Sequence, residues 1–300
     1  MKNAPLLHRV EYVAFSGLAA VVRLLPHRAS RSIGRLLGAL AYYVLPTRRR
    51  LAHANLASAL PELDAARRGG IARRSFANLG AAALETLSAG RYDARQLCRR
   101  LTLEGWEHLR QAEELGRGVF IMSAHLGCWE IAALPVGLYR GSFHILNRPL
   151  DNPHLDRRLL ELRSRFGNRM VDKRGAAREL VRLIGSRERI GILIDQSVPV
   201  EQGIEVPFFG RPASTSPVLA KLAVKHRVPV VPIFGYPAEG GRYRVVFRPP
   251  ILPPDDATPS PEAMTARYLE AVEEEIRQQP DQWLWMHDRW RRRRRTRGVH

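Results

Sequence analysis

Gly118-Val119-Phe120-Ile121-Met122-Ser123 runs directly into Ala124-His125-Leu126-Gly127-Cys128-Trp129-Glu130. The first six residues are apolar or small and show no alternation, the mark of a strand covered on both faces. Phe143–Leu146, Ile190–Ile194 and Pro229–Phe234 have the same character. Helical patterns lie around them, at roughly 128–139, 153–166, 175–186 and 214–227. Strands alternating with helices predict an α/β fold, a mostly parallel central sheet flanked by helices. Tyr243–Phe247 is expected as an added edge strand. Pro249, Pro250, Pro253 and Pro254 then form a loop before a helix over about 261–278.

Upstream of this unit, residues 1–100 read as helical. Leu56 and Leu60, then Leu79, Ala83, Leu84 and Leu87, recur at helical spacing, and Pro61-Glu62 breaks the run. Tyr12–Val22 carries no charge and Leu36–Leu45 is apolar. Both are shorter than the roughly 20 residues that cross a bilayer. Arg9, Glu11 and Arg23 crowd the first stretch and no small-residue cleavage site follows, which argues against a secretory signal. These segments fit either core helices or helices lying in a membrane interface. The basic flanks (Arg23, His27, Arg28, Arg31, Arg35 and Arg48–Arg50) favour the second, at an anionic cytoplasmic leaflet. The chain thus divides into membrane-associating helices over 1–50, an α/β domain over 51–290 and a basic tail over 291–300.

Charge narrows the partners. The chain has 48 Lys and Arg against 29 Asp and Glu, a net of +19, which implies an acidic partner such as a nucleic acid, a lipid headgroup or an acidic carrier protein. No helix-turn-helix, zinc-finger or aromatic-basic sheet pattern accompanies the charge, so nucleic acid is not expected. The five arginines Arg291–Arg295 suit a solvated run or an electrostatic anchor. Trp283, Trp285 and Trp290 are expected mainly in packing. Cys98 and Cys128 are too few for a disulfide framework.

Chemistry concentrates at the end of the first strand, where catalytic groups collect in sheets of this kind. His125 falls in the turn and Glu130 in the first turns of the next helix. A carboxylate that holds one ring nitrogen as N–H raises the basicity of the other. The expectation is therefore that Glu130 orients His125, and that His125 deprotonates an alcohol without a protein nucleophile. Ser123 lacks a G-x-S-x-G elbow. No third metal ligand stands at a telling spacing, and no cofactor is expected. Backbone N–H groups near Gly127, or an arginine, are the candidate oxyanion donors.

His125 through Glu130 resembles the H-x4-D/E motif of the glycerolipid acyltransferase superfamily. HLGCWE is closer to the form found in lipid A biosynthesis acyltransferases, the late lauroyl and myristoyl transferases. The resemblance extends from Asn55-Leu56 and Pro61-Glu62 to the closing segment. It includes Asn147-Arg148-Pro149-Leu150-Asp151-Asn152-Pro153, Arg163 fifteen residues after Arg148, and Asp195-Gln196 at the end of ILID. Val206–Gly210 with Ala213–Thr215, and Gln282–His287 with Arg289-Trp290, complete it. Cys128 stands where the family frequently has Asn.

The resemblance implies an acyl thioester donor, on acyl carrier protein or coenzyme A, and a hydroxyl acceptor on an anionic membrane glycolipid. His125 and Glu130 would be catalytic; Arg148, Arg163 and Asp195 would serve the substrate site. Such an enzyme belongs at the cytoplasmic face of the inner membrane. A glycosylated phosphatidylinositol or an aminolipid remains open as the acceptor.

Overall fold

The structure, a computed structural model, describes residues 4–254 and 259–291. Four helices open it: α1 (Ala4–Leu24), α2 (His27–Val44), α3 (Pro46–Ala59) and α4 (Ala65–Ala89). The short α5 (Ala94–Cys98), β1 (Leu101–Glu104) and α6 (Trp106–Glu114) lead to β2 (Val119–Ser123). Then follow α7 (Trp129–Ala132), α8 (Leu134–Arg140), β3 (Phe143–Asn147), α9 (Pro153–Ser164), β4 (Asn168–Asp172), α10 (Ala177–Gly185) and β5 (Arg189–Leu193). A hairpin of β6 (Ile204–Phe208) and β7 (Arg211–Thr215) precedes α11 (Val218–His226), β8 (Val230–Ala238), β9 (Arg242–Phe247) and α12 (Pro261–Gln278).

The main sheet has the order β1-β9-β8-β2-β5-β3-β4. From β8 to β4 every pairing is parallel; β9 runs antiparallel to β8 and parallel to β1. The expected architecture, a mostly parallel sheet flanked by helices, is present. β2 is buried along its whole length because it lies at the centre, Phe120 opposite Ile190 on one side and Val230 on the other.

Three local expectations change. β9 is not an edge strand: β1 covers its outer side. β1 is only four residues of half-buried alternation, LTLE, too short to stand out as a strand. The helix over 128–139 is broken into α7 and α8, with Pro135 in the first turn of the second, where its missing N–H costs nothing. The Phe-Phe-Gly segment is the turn of the β6–β7 hairpin, with Phe209 and Gly210 both at positive φ.

The N-terminal helices reach the α/β unit through small residues. A Cβ on Gly38 would be driven into the Phe76 carbonyl, and one on Gly34 into that of Gly80, so α2 and α4 meet backbone to backbone. Arg31 to Glu85 and Arg35 to Asn78 bind the same pair of helices, at 2.6 and 2.5 Å. Asn152 caps α9 by accepting from His154 N, and its amide donates to the His8 carbonyl and the Glu11 carboxylate of α1. The Asn-Pro pair therefore starts a helix and also ties α1 down.

This close approach predicts that Gly38→Val costs ~1–3 kcal/mol through overpacking. The melting temperature of the full chain in detergent should fall by several degrees. Gly17 in α1 has open space around it, so Gly17→Ala should leave the melting temperature unchanged or slightly raised.

Candidate active site

β2 ends at Ser123, and its neighbour β5 ends at Leu193. Asp195 follows β5 as His125 follows β2, so parallel pairing delivers both to the same end of the sheet. Asp195 is 2% exposed. Its Oδ1 accepts from His125 Nδ1 at 2.8 Å, and its Oδ2 accepts from the His125 backbone N–H and from Trp283 Nε1, both at 2.9 Å. The bond to Nδ1 fixes the ring tautomer and leaves Nε2 with the lone pair. Nε2 lies 3.2 Å from the side-chain amide of the exposed Gln196, which donates to it. The Trp129 ring flanks the imidazole at 5.3 Å.

The expectation that Glu130 orients His125 is corrected: Asp195 holds that position. Glu130 is bound by Arg163, whose Nε and Nη2 reach its two oxygens at 2.8 and 2.5 Å while Nη1 donates to Asn147 Oδ1 at 2.6 Å. Gly127 at positive φ turns the chain after His125, and a Cβ there would strike the Gly235 carbonyl. That turn sends Glu130 toward α9. Its charge still acts on the imidazole. Burial pushes the His125 pKa down, but the charge and hydrogen bond of Asp195, and then the charge of Glu130, outweigh it and leave His125 above 6.5. Burial would raise the Asp195 pKa, yet His125 and the other donors bring it to about 2.

Asp195, expected in the substrate site, is enclosed behind the imidazole. Arg148 is exposed just after β3, beside Lys173, whose ammonium is disfavoured by burial and by the Arg148 charge. Arg163 does stand next to the His125 turn, and among the described residues three of its five N–H donors are engaged. The proposed backbone oxyanion donors are occupied: Gly127 N–H donates to Gln282 O and Cys128 N–H to Gly235 O. Neither local nucleophile is free. Ser123 is buried and donates to Ile233 O at 2.6 Å; burial and Glu85 push the Cys128 thiol far up, so it stays protonated and donates to Glu85 at 3.3 Å.

The closing segment supplies what sequence reasoning did not assign. Trp283 bridges to Leu126 and bonds Asp195. Asn55 donates to the carbonyls of Trp285 and His287, at 2.8 and 2.9 Å. Arg289 is fully buried, donating to Ser214 O and Thr215 Oγ1. Burial lowers it to about 10, against the upward pull of the Asp195 charge. The arginines Arg292–Arg295 lie outside the described residues.

The sequence model of the bacterial lipid A biosynthesis acyltransferase family matches residues 2–292. The chain belongs to that family. A lipid A biosynthesis lauroyltransferase of Escherichia coli (strain K12) is 26% identical over 98% of this chain and 97% of its own. A lipid A biosynthesis palmitoleoyltransferase of the same strain is 26% identical over 90% of this chain and 87% of its own. A phosphatidylinositol mannoside acyltransferase of Mycobacterium tuberculosis (strain ATCC 25618 / H37Rv) is 25% identical over 66% and 61%. This member of the lipid A family is an O-acyltransferase, and its His125 site is the feature to examine for the transfer.

The electrostatics predict a pH profile. If neutral His125 is the base, the acidic limb of kcat/KM lies above pH 6.5, because the Asp195 and Glu130 charges hold the proton on. Asp195→Asn removes the strongest of these influences, so burial then dominates and the limb moves downward. The rate should also fall, on the order of 10³-fold or more, as the ring loses its fixed tautomer.

Proposed function

We propose that this chain moves a fatty acyl group from a thioester, on acyl carrier protein or coenzyme A, to a hydroxyl of a lipid A precursor or related glycolipid. The observation that carries the reading is the His125 Nδ1–Asp195 bond, with Nε2 turned to the exposed edge beside Gln196. The acceptor hydroxyl replaces the Gln196 amide at Nε2 and gives its proton there as its oxygen attacks the thioester carbonyl. The tetrahedral intermediate collapses, the C–S bond breaks, and the imidazolium returns the proton to the departing thiolate. The buried Asp195 stabilises that imidazolium, and Glu130 adds negative charge on the other side. Engagement of Ser123 and Cys128 supports direct transfer without an acyl-enzyme.

Arg163 and Arg148 are assigned to the anionic part of the acceptor. Among the described residues two N–H donors of Arg163 have no partner and are open to a phosphate or carboxylate while Glu130 keeps the fork in place. Placement at a membrane is part of the same reading. α1 and α2 expose Leu6, Val10, Val13, Leu24, Leu36 and Leu40, each more than half accessible. None of the described helices is long and apolar enough to cross a bilayer. Burial of this face in the interface of the inner membrane, on its cytoplasmic side, accounts for it and gives the site access to cytosolic thioesters. The domain reading follows: residues 1–50 dock, 51–290 catalyse and the basic tail of 291–300 adds diffuse attraction. The mannoside acyltransferase relative keeps a glycosylated phosphatidylinositol as the second acceptor.

Mass spectrometry of total lipids from cells with and without the protein should show one lipid A species gaining a single acyl chain, and His125→Ala should abolish the gain in a stably folded, membrane-bound protein. A mannosylated phosphatidylinositol gaining the chain instead would select the second acceptor. Arg163→Ala should raise the KM for the acceptor on the order of tenfold, more than that for the thioester. The opposite pattern would assign Arg163 to the donor.

A further inference from the structure

A cavity of about 370 Å³ lies between α2 and α4, lined by Arg35, Leu36, Ala39, Arg73, Arg74 and Ala77. It is separate from the residues around His125. Three arginines line it. Among the described residues only one faces a carboxylate: Arg74 Nε bonds Asp281 Oδ2 at 3.0 Å. Arg35 bonds the neutral amide of Asn78, and Arg73 is exposed and makes no hydrogen bond or ion pair among the described residues. The cavity therefore carries a net positive charge of about two. Its remaining lining is apolar, and Leu36, 69% exposed, belongs to the same face of α2 as Leu40, 55% exposed.

We propose that this groove binds the phosphate headgroup of an anionic membrane lipid, a second lipid site apart from the acceptor. The inference rests on the membrane placement of α1 and α2 given above. Arginine forks match phosphate oxygens in pairs, and the adjoining leucines would meet the lipid's acyl chains. A phosphate rests at the level where an interfacial helix changes from its apolar to its basic side. The volume accommodates a phosphate together with the glycerol or sugar that carries it. Occupancy there reaches the active site by a short path. Arg74 and Asn78 both bind Asp281, and the next residue, Gln282, accepts the Gly127 N–H in the turn that carries His125.

The test is sedimentation of the full chain with vesicles of phosphatidylcholine, alone or mixed with phosphatidylglycerol, at constant ionic strength. Arg35→Gln/Arg73→Gln is compared with Arg117→Gln/Arg178→Gln, an equal loss of charge at exposed arginines elsewhere. The groove variant should lose at least about tenfold in affinity for the mixed vesicles and nothing for phosphatidylcholine; the other pair should lose only a few-fold. Arg73→Gln alone, which removes no contact made in the fold, repeats the measurement if the double variant melts early. Equal losses in the two pairs would overturn the groove while leaving membrane placement intact. Wild-type chain that binds neither vesicle would overturn both. Inorganic phosphate should weaken the phosphatidylglycerol advantage only partially; complete loss of that advantage would mean that the groove takes free phosphate, and the lipid assignment would fail.

Discussion

The site depends on one buried carboxylate. Burying Asp195 costs several kcal/mol unless its oxygens are satisfied, and here each is. Its donors come from two distant places: the turn after β2 gives two and the closing segment gives one. The carboxylate is thus the point at which β5, the catalytic turn and the C-terminal tryptophans must coincide. Arg289 extends the arrangement to β7, where it holds Ser214 and Thr215. The Ala-Ser-Thr segment and the Trp-Met-His…Arg-Trp segment, scattered in sequence, are parts of one support. In the proposed mechanism, a base whose tautomer is fixed by such a frame needs no reorganisation when the proton moves.

The strands that were legible are the central ones. Val119–Ser123 is buried along its length and Ile190–Ile192 forms the buried middle of β5, and such apolar runs can hardly be anything else. β1 and β4 were not legible, because peripheral strands are short and mixed in character. The β6–β7 hairpin was masked by Pro207 and Pro212, which sit directly opposite each other where a ladder with water on one side tolerates them. At the site, His125 could be found from its position after a strand. Its partner could not be found from spacing. Glu130 is five residues away in sequence, but the positive φ of Gly127 directs it elsewhere; Asp195 is distant in sequence but adjacent across the β2–β5 ladder. The visible signal was ILID-Gln, a second strand end on the same side of a parallel sheet. Strand-end residues on neighbouring parallel strands are better partner candidates than residues close along the chain.

The excess of arginine also divides once the fold is known. Arg140 and Arg189 both meet Glu113, and Arg248 meets Glu275. These cations are structural and say nothing about a partner. Some cations of α2 and α4 differ, with amides or carbonyls opposite them among the described residues: Arg35 with Asn78, and Arg68 with the carbonyls of Leu60 and Leu63. Ion pairs leave the net of +19 unchanged, and composition gives no hint of where the excess lies.

A second buried carboxylate explains how that face is joined to the chemistry. Glu85 in α4 is inaccessible, and it accepts from Arg31 of α2 on one oxygen and from the Cys128 thiol on the other. Cys128 is three residues after His125 and its N–H is fixed to Gly235. The His125 turn is therefore gripped from two sides, by Asp195 beneath the imidazole and by Glu85 beyond the glycine. Removing either partner of a buried pair leaves an uncompensated charge, which is far more costly than the pair itself is stabilising. A thiol in place of a larger amide at Cys128 is compatible with this grip because burial keeps it protonated and able to donate. Displacement of α2 relative to α4 would have to break the Arg31–Glu85 bond and separate glycine contacts that leave no slack, so α2 and the His125 turn are tied through the same carboxylate.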